Sequence, residues 1–265
     1  MVEVDRPNRQ RRRRQDKTDP HDTVTAARAA QAGDAWGAAK NRDGNVEAIR
    51  VLRVVRCSAK RDRTRAINQM RSLVSTAPDD LREQLRGLTI PNLVRLAAAF
   101  RPTRRTDITS ATRRALRTLA RRVLELDTEV ADLDEVLVAL VAATAPELVA
   151  QVGVGTDTAG ALLVAAGENT SRLRNERSFA RLCGAAPLDA PSGKQQRHRL
   201  SRAGDRQANS ALWRIVIRRL SHDPATRRYL ERRLAQGKTK TEAIRCLKRY
   251  VARQLYHRLP QEPVA

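Results

Sequence analysis

The sequence predicts a mainly α-helical protein, and three observations carry that reading. Leu116, Leu119, Val123, Leu126, Val130, Leu133, Leu137 and Leu140 step by alternating threes and fours, the heptad seam of a long helix with one buried stripe. From Val46 to Val74, Ile49, Leu52, Val55, Ala59, Ala66, Ile67, Met70 and Leu73 recur at helical spacing, with Arg and Lys expected on the other face. Strand signals are scarce. Only Val2 to Asp5 alternate, and no partner strand is legible downstream, although a strand needs neighbours.

Taken in order, that short strand leads into an Arg-rich loop, Arg6 to Arg14. Asp19-Pro20 then opens an Ala-rich helix, since Asp suits an N-cap and Pro the first turn; it runs to about Gly33. Residues 76–107 carry Pro78, Gly87, Pro91 and Pro102, so short helices and turns are expected there. The middle of the heptad helix is acidic, with Glu125, Asp127, Glu129, Asp132, Asp134 and Glu135. It can pack on the basic helix before it or on a second copy. The expectation is a helical hairpin that also forms a homo-oligomer through residues 116–140. Past Pro146 the pattern is helix, the turn Val152-Gly153-Val154-Gly155, and helix again.

The charge is large and its chemistry specific. Lys+Arg number 52 against 29 Asp+Glu, a formal net charge of +23, and seven of the 52 are Lys, which leaves 45 Arg. Guanidinium grips phosphate bidentately and keeps its charge, so a polyanion is the expected partner and nucleic acid the first choice. Between Arg172 and Arg258 there are 23 basic and six acidic residues, a surplus of 17 that marks the last third as the electrostatic footprint. Aromatics at 3% argue against a base-stacking single-strand reader. No apolar run reaches the ~18 residues of a membrane span, and the start lacks a secretory signal. Cys57, Cys183 and Cys246 are scattered, without metal-ligand spacing. A cytoplasmic protein with no membrane partner is expected.

Several residues carry two readings. Gly153 and Gly155 look like a helix-hairpin-helix, whose glycines let backbone N–H groups approach a phosphate; an ordinary tight turn uses the same residues. Asp19 and Asp22 are spaced to reach one Mg²⁺, or to cap a helix and place an acid in its first turn. Ser192, in Pro191-Ser192-Gly193-Lys194 with Arg197, Arg199 and Arg202 following, suits attack on a phosphate stabilised by cations, or a plain turn. Arg11, Arg12, Arg13 and Arg14 form a solvated basic loop, or a phosphate clamp beside a nucleic-acid site.

At these residues the chain resembles a known family. Lys17-Thr18-Asp19 with Asp22, after the stretch VEVDRPNRQRRRR, is similar to the end of the acidic catalytic domain of the insertion-sequence 110/116/902 transposases, the bridge-RNA-guided serine recombinases. Residues 147–258 resemble that family's C-terminal domain. The markers are Val152 to Thr156, Phe179 leading into Leu182-Cys183-Gly184-Ala185-Ala186-Pro187, then Ser192-Gly193, Ser201 to Asp205, and Gly237-Lys238.

The resemblance implies an RNase H-like domain whose four acids hold Mg²⁺, and a serine that links covalently to a DNA phosphate. A structured non-coding guide RNA would specify donor and target DNA. By motif, Asp19 and Asp22 match the last two acids and Ser192 the serine. Arg11 to Arg14, Lys17, Gly153, Gly155, Lys194, Arg197, Arg199 and Arg202 are the expected nucleic-acid contacts. The family's first two acids belong to strands that would precede Val2, so an incomplete, N-terminally truncated metal set is expected.

The expected architecture is a truncated end of an RNase H-like α/β domain over 1–40, a helical coiled-coil connector over 41–145, and a helical, DNA-binding serine domain over 146–265. The expected function is transposition or site-specific recombination of element DNA, in the bacterial cytoplasm at the nucleoid. The alternative is a catalytically inactive DNA- or RNA-binding remnant that modulates a full-length transposase. A ribosomal-type RNA-binding protein is a third reading, which the heptad seam and the Ser-Gly turn disfavour.

Overall fold

The computed structural model describes residues 2–3, 19–33, 37–101, 107–189, 198–199 and 204–260. They are mainly helical. Strand β1 (Val2–Glu3) pairs antiparallel with β2 (Gly37–Ala38) across helix α1 (Asp19–Gln31). The expected strand therefore has a partner after all, correcting the reading that none exists downstream. Two residues are too short for alternation to register. The Ala-rich helix ends at Gln31 and turns at Gly33, whose φ of 72° suits glycine.

Further along lie α2 (Asn45–Ser75), α3 (Asp79–Leu85), α4 (Ile90–Ala98) and the heptad helix α5 (Ile108–Thr144). The last third comprises α6 (Pro146–Val149), α7 (Thr156–Ala166), α8 (Glu176–Leu182), the ladder β3 (Leu188–Asp189) with β4 (His198–Arg199), α9 (Arg206–His222), α10 (Pro224–Ala235) and α11 (Lys240–Tyr256). The chain divides into two compact units, one of Met1–Ile49 with Val141–Ala265 and one of Arg50–Leu140.

Within the Arg50–Leu140 unit the seam finds its partner in the same chain. Arg56 pairs with Asp134 and Arg63 with Asp127. Seven residues forward on α2 thus answer seven residues back on α5, which defines one antiparallel register. Ala66, Ile67 and Met70 pack with Leu116, Ala120 and Val123, and α3 and α4 close the same core with Leu81, Leu85, Leu93 and Val94.

One expectation about α2 changes. Arg53 and Arg56 are buried, at 6% and 8% exposure, while Val51, Val54 and Val55 are exposed. The acidic stretch of α5 supplies the reason: Asp134 draws Arg56 inward, and a charge partly shielded from water needs a partner.

In the other unit, Leu162, Leu163, Phe179, Leu212, Ile215 and Leu255 form a closed core where α7 and α11 pack on α9 and α8 packs on α11. Side-chain caps set the helix starts. Asn175 accepts from the Arg177 and Ser178 amides, and Asp223 from those of Ala225 and Thr226. Thr239 and Glu242 form a reciprocal capping box.

A second feature holds residues 39–46 to the last turn of α7 and the loop after it. Lys40 Nζ donates to Val164 O at 2.6 Å, and Asn169 Nδ2 to Ala39 O at 2.8 Å. The Glu168 carboxylate accepts from the Val46 amide at 2.8 Å, placing an anion at the N-terminus of α2. Gly167, at φ 90°, lies against Lys40: a Cβ there would stand 2.5 Å from Lys40 Cγ.

Candidate nucleic-acid interface

The glycine hairpin is built against α9. Gly153 has φ 80°, and a Cβ on it would lie 3.0 Å from Ile215 O and 3.1 Å from Arg219 Cγ. Its glycine serves the turn and close packing together. Gly155 is different: its φ is −114°, a Cβ there meets nothing within 4 Å, and its amide donates to Thr158 Oγ1 at 2.9 Å. It faces open space at the start of α7. Asp157 stands in that first turn, paired with Arg214.

Arg219 braces the hairpin from below. It is 8% exposed, its Nε donates to Val152 O at 2.8 Å, and its Nη1 donates to Gln254 Oε1 at 2.7 Å. Burial lowers its pKa, and the Asp223 carboxylate acts the other way. Its neighbour Arg218 is exposed. Nothing in the sequence separates these two arginines, because a brace and a surface cation share one residue type.

The stretch carrying Ser192 has a closed base. The Asp205 amide donates to Leu182 O at 2.7 Å, and the Asp205 carboxylate caps α9 through the Gln207 and Ala208 amides. Asn209 Nδ2 donates to Cys183 O at 2.8 Å and to Gly184 O at 2.9 Å, while buried Lys248 donates to Asn209 Oδ1 at 2.6 Å. Above this base, Leu188 pairs with Arg199 and Asp189 with His198, antiparallel. Burial, aided by Asp205, pushes the Cys183 thiol far up and leaves it protonated and inert, against a smaller opposing pull from Lys248. Sequence reasoning missed Asn209 and Lys248, which carry no motif of their own.

Glu176 gathers cations from α11 and the turn after it. Arg253 Nε lies 2.8 Å away, Arg249 Nη2 3.3 Å and His257 Nε2 3.7 Å. Burial pushes this carboxyl up, but Arg253, Arg249 and His257 together outweigh it and hold it below the usual carboxylate range. These cations serve the fold. Arg227, Arg228 and Arg232 on α10 instead face solvent.

Ser192, Lys194, Arg197, Arg202, Arg11, Arg12, Arg13, Arg14 and Lys17 lie outside the described residues. Arg199 is placed by its backbone in β4, and Asp19 and Asp22 by theirs, one turn apart at the start of α1. Two carboxylates leave most of an oxygen shell of ~6 ligands for other donors. Among the described residues, no group of three or more His, Cys, Asp or Glu converges. The residues described do not by themselves make a Mg²⁺ site. No helix among them is long and apolar enough to cross a membrane.

The described residues thus form a helical, strongly cationic unit with a glycine hairpin, features that suit a phosphate polymer as partner. Comparison with known proteins narrows this. Residues 147–231 match the transposase IS116/IS110/IS902 family, and residues 2–77 match the acidic transposase family of IS110. The chain is also similar to the insertion element IS110 uncharacterized 43.6 kDa protein of Streptomyces coelicolor, 36% identical over 100 residues. That alignment takes up 37% of this chain and 24% of the relative, so the chain matches about a quarter of that protein's length. The chain belongs to the IS110/IS116/IS902 transposase family. The acidic family matched at 2–77 is generally metal-dependent.

Proposed function

We propose that this chain acts in DNA transposition, binding, cutting and rejoining element DNA, with the C-terminal helices as its DNA-binding part. The observation that carries the reading is the latch of residues 39–46 onto residues 164–169. It joins the stretch matched to the acidic transposase family to the stretch matched to the second family. The proposed domains are 1–40 as the end of an RNase H-like domain, 41–145 as a coiled-coil connector and 146–265 as a helix-hairpin-helix and serine domain.

Ser192 is the proposed nucleophile. Its Oγ attacks a backbone phosphorus, one P–O bond to the DNA breaks, and the departing DNA hydroxyl takes the proton that the serine loses. A hydroxyl of the second DNA end then attacks the same phosphorus and frees the serine. Bond energy is conserved throughout, so no nucleotide is consumed. Lys194, Arg197, Arg199 and Arg202 stabilise the developing charge. Gly155 lets the phosphate backbone approach the start of α7, with Gly153 shaping the turn, and Arg11 to Arg14 with Lys17 clamp the strand. Asp19 and Asp22 are the proposed contribution of this stretch to a Mg²⁺ set. Donor DNA, target DNA and a guide RNA are the proposed partners, with a homo-oligomer formed through residues 116–140.

Incubating the protein with labelled element ends and guide RNA tests this reading. Cleavage and a covalent protein–DNA band, both lost in Ser192→Ala, are the expected result. Salt-dependent binding with no cleavage under any divalent cation would favour the second reading, a binding protein that modulates a full-length transposase. Its motivation is the cationic last third, which suits binding to DNA or RNA whether or not the chain cuts it.

A further inference from the structure

A pair of tyrosines joins α10 to α11 on the surface of the C-terminal unit. The Tyr229 and Tyr250 ring centroids are 5.6 Å apart, edge to face at 76°. Two guanidiniums from α10 flank Tyr229, Arg232 at 5.3 Å and Arg233 at 5.9 Å from its centroid. A ring pair serving only to pack two helices would be covered, yet Tyr250 is 57% exposed. Arg233 is held between the two helices, Nη1 donating to Gln236 Oε1 at 2.9 Å and Nη2 reaching Cys246 Sγ at 3.9 Å.

We propose that Tyr250, backed by Tyr229 with its two flanking guanidiniums, is a stacking platform for an unpaired base of single-stranded DNA. The platform deepens the DNA-binding reading above and rests on it. An open aromatic face stacks on any base, and nearby arginines, Arg232 foremost since it faces solvent, hold the phosphates. A base paired within a duplex keeps its faces covered by its neighbours and cannot use the ring. The low aromatic content of the whole chain does not count against this, because a platform takes two rings in one place. DNA is favoured over RNA as the occupant because the transposase family that both matched stretches share points to DNA as the partner.

Fluorescence anisotropy with the full chain tests it, using a labelled oligothymidine, a duplex of equal length and an oligouridine. Tyr250→Ala is expected to weaken oligothymidine binding about tenfold and leave duplex binding unchanged, while Tyr250→Phe restores the wild-type value. A thermal melt checks folding, and Tyr250→Leu separates ring stacking from apolar bulk. Equal losses on single strand and duplex, no loss at all, or full binding by Tyr250→Leu would overturn the platform. Tyr250-dependent oligouridine binding tighter than oligothymidine would overturn DNA as its occupant. Cleavage in the Ser192 assay reports separately: if it persists in Ser192→Ala while the Tyr250 effect holds, the catalytic reading fails and the platform stands.

Discussion

Gly184 and Gly204 lie back to back, on either side in sequence of the stretch that carries Ser192: a Cβ built on Gly204 would stand 2.2 Å from the Gly184 amide nitrogen. Gly184 is also at φ 63°, so both glycines are required by geometry. The contact closes the two ends of a long excursion, and the Asp205–Leu182 hydrogen bond locks it.

Gly204→Ala should therefore destabilise the protein by about 3 kcal/mol or more, because backbone has no rotamer with which to give way. Gly155→Ala, in open space, should change stability by less than about 0.5 kcal/mol. Denaturant melts of the two variants check the contrast. Equal effects would mean that the close approach is not tight.

The two adjacent arginines of α9 should separate cleanly. Arg219→Met leaves the Val152 carbonyl and the Gln254 side chain without their donor and should cost about 1–3 kcal/mol. Arg218→Ala should be nearly neutral in a melt. A stability loss at position 218 equal to that at 219 would contradict the bracing role.

Glu176 gives the C-terminal unit a pH dependence of definite sign. Its folded pKa lies below its unfolded value, so its contribution is present above the unfolded pKa and fades as pH falls through the folded one. The stability difference between wild type and Glu176→Gln should be steady near neutrality and shrink in acid. Added salt should reduce it, since Arg253 and His257 are largely exposed. A difference that grows on acidification would refute the assignment.

The register of the α2–α5 hairpin can be tested by charge exchange. Arg56→Asp or Asp134→Arg alone places like charges face to face and should cost about 1–3 kcal/mol, more than an exposed pair would. The double exchange should recover a good part of that. No recovery would mean that the helices meet in a different register.

Much of this protein is legible locally. The threes and fours from Leu116 to Leu140 announce α5, and none of those seam residues is exposed. Asp205, Asp223 and Thr239 cap their helices through groups two or three residues away, a local signal that the sequence reading passed over. The partner strand Gly37–Ala38 was hidden by its length. Arg53 and Arg56 were assigned to solvent because a periodicity scheme counts Arg as polar and cannot see Asp134 across a hairpin.

By itself, then, the sequence determined the helical character, the cationic last third and the motifs that carry the family resemblance. Tertiary structure decided which arginines are braces and which face solvent, that residues 39–46 seat on the loop at 164–169, and that Gly184 must meet Gly204. The physical reason is range. Periodicity and capping act over a few residues of chain, whereas a buried guanidinium or a backbone-to-backbone contact is defined only once distant surfaces meet and exclude water.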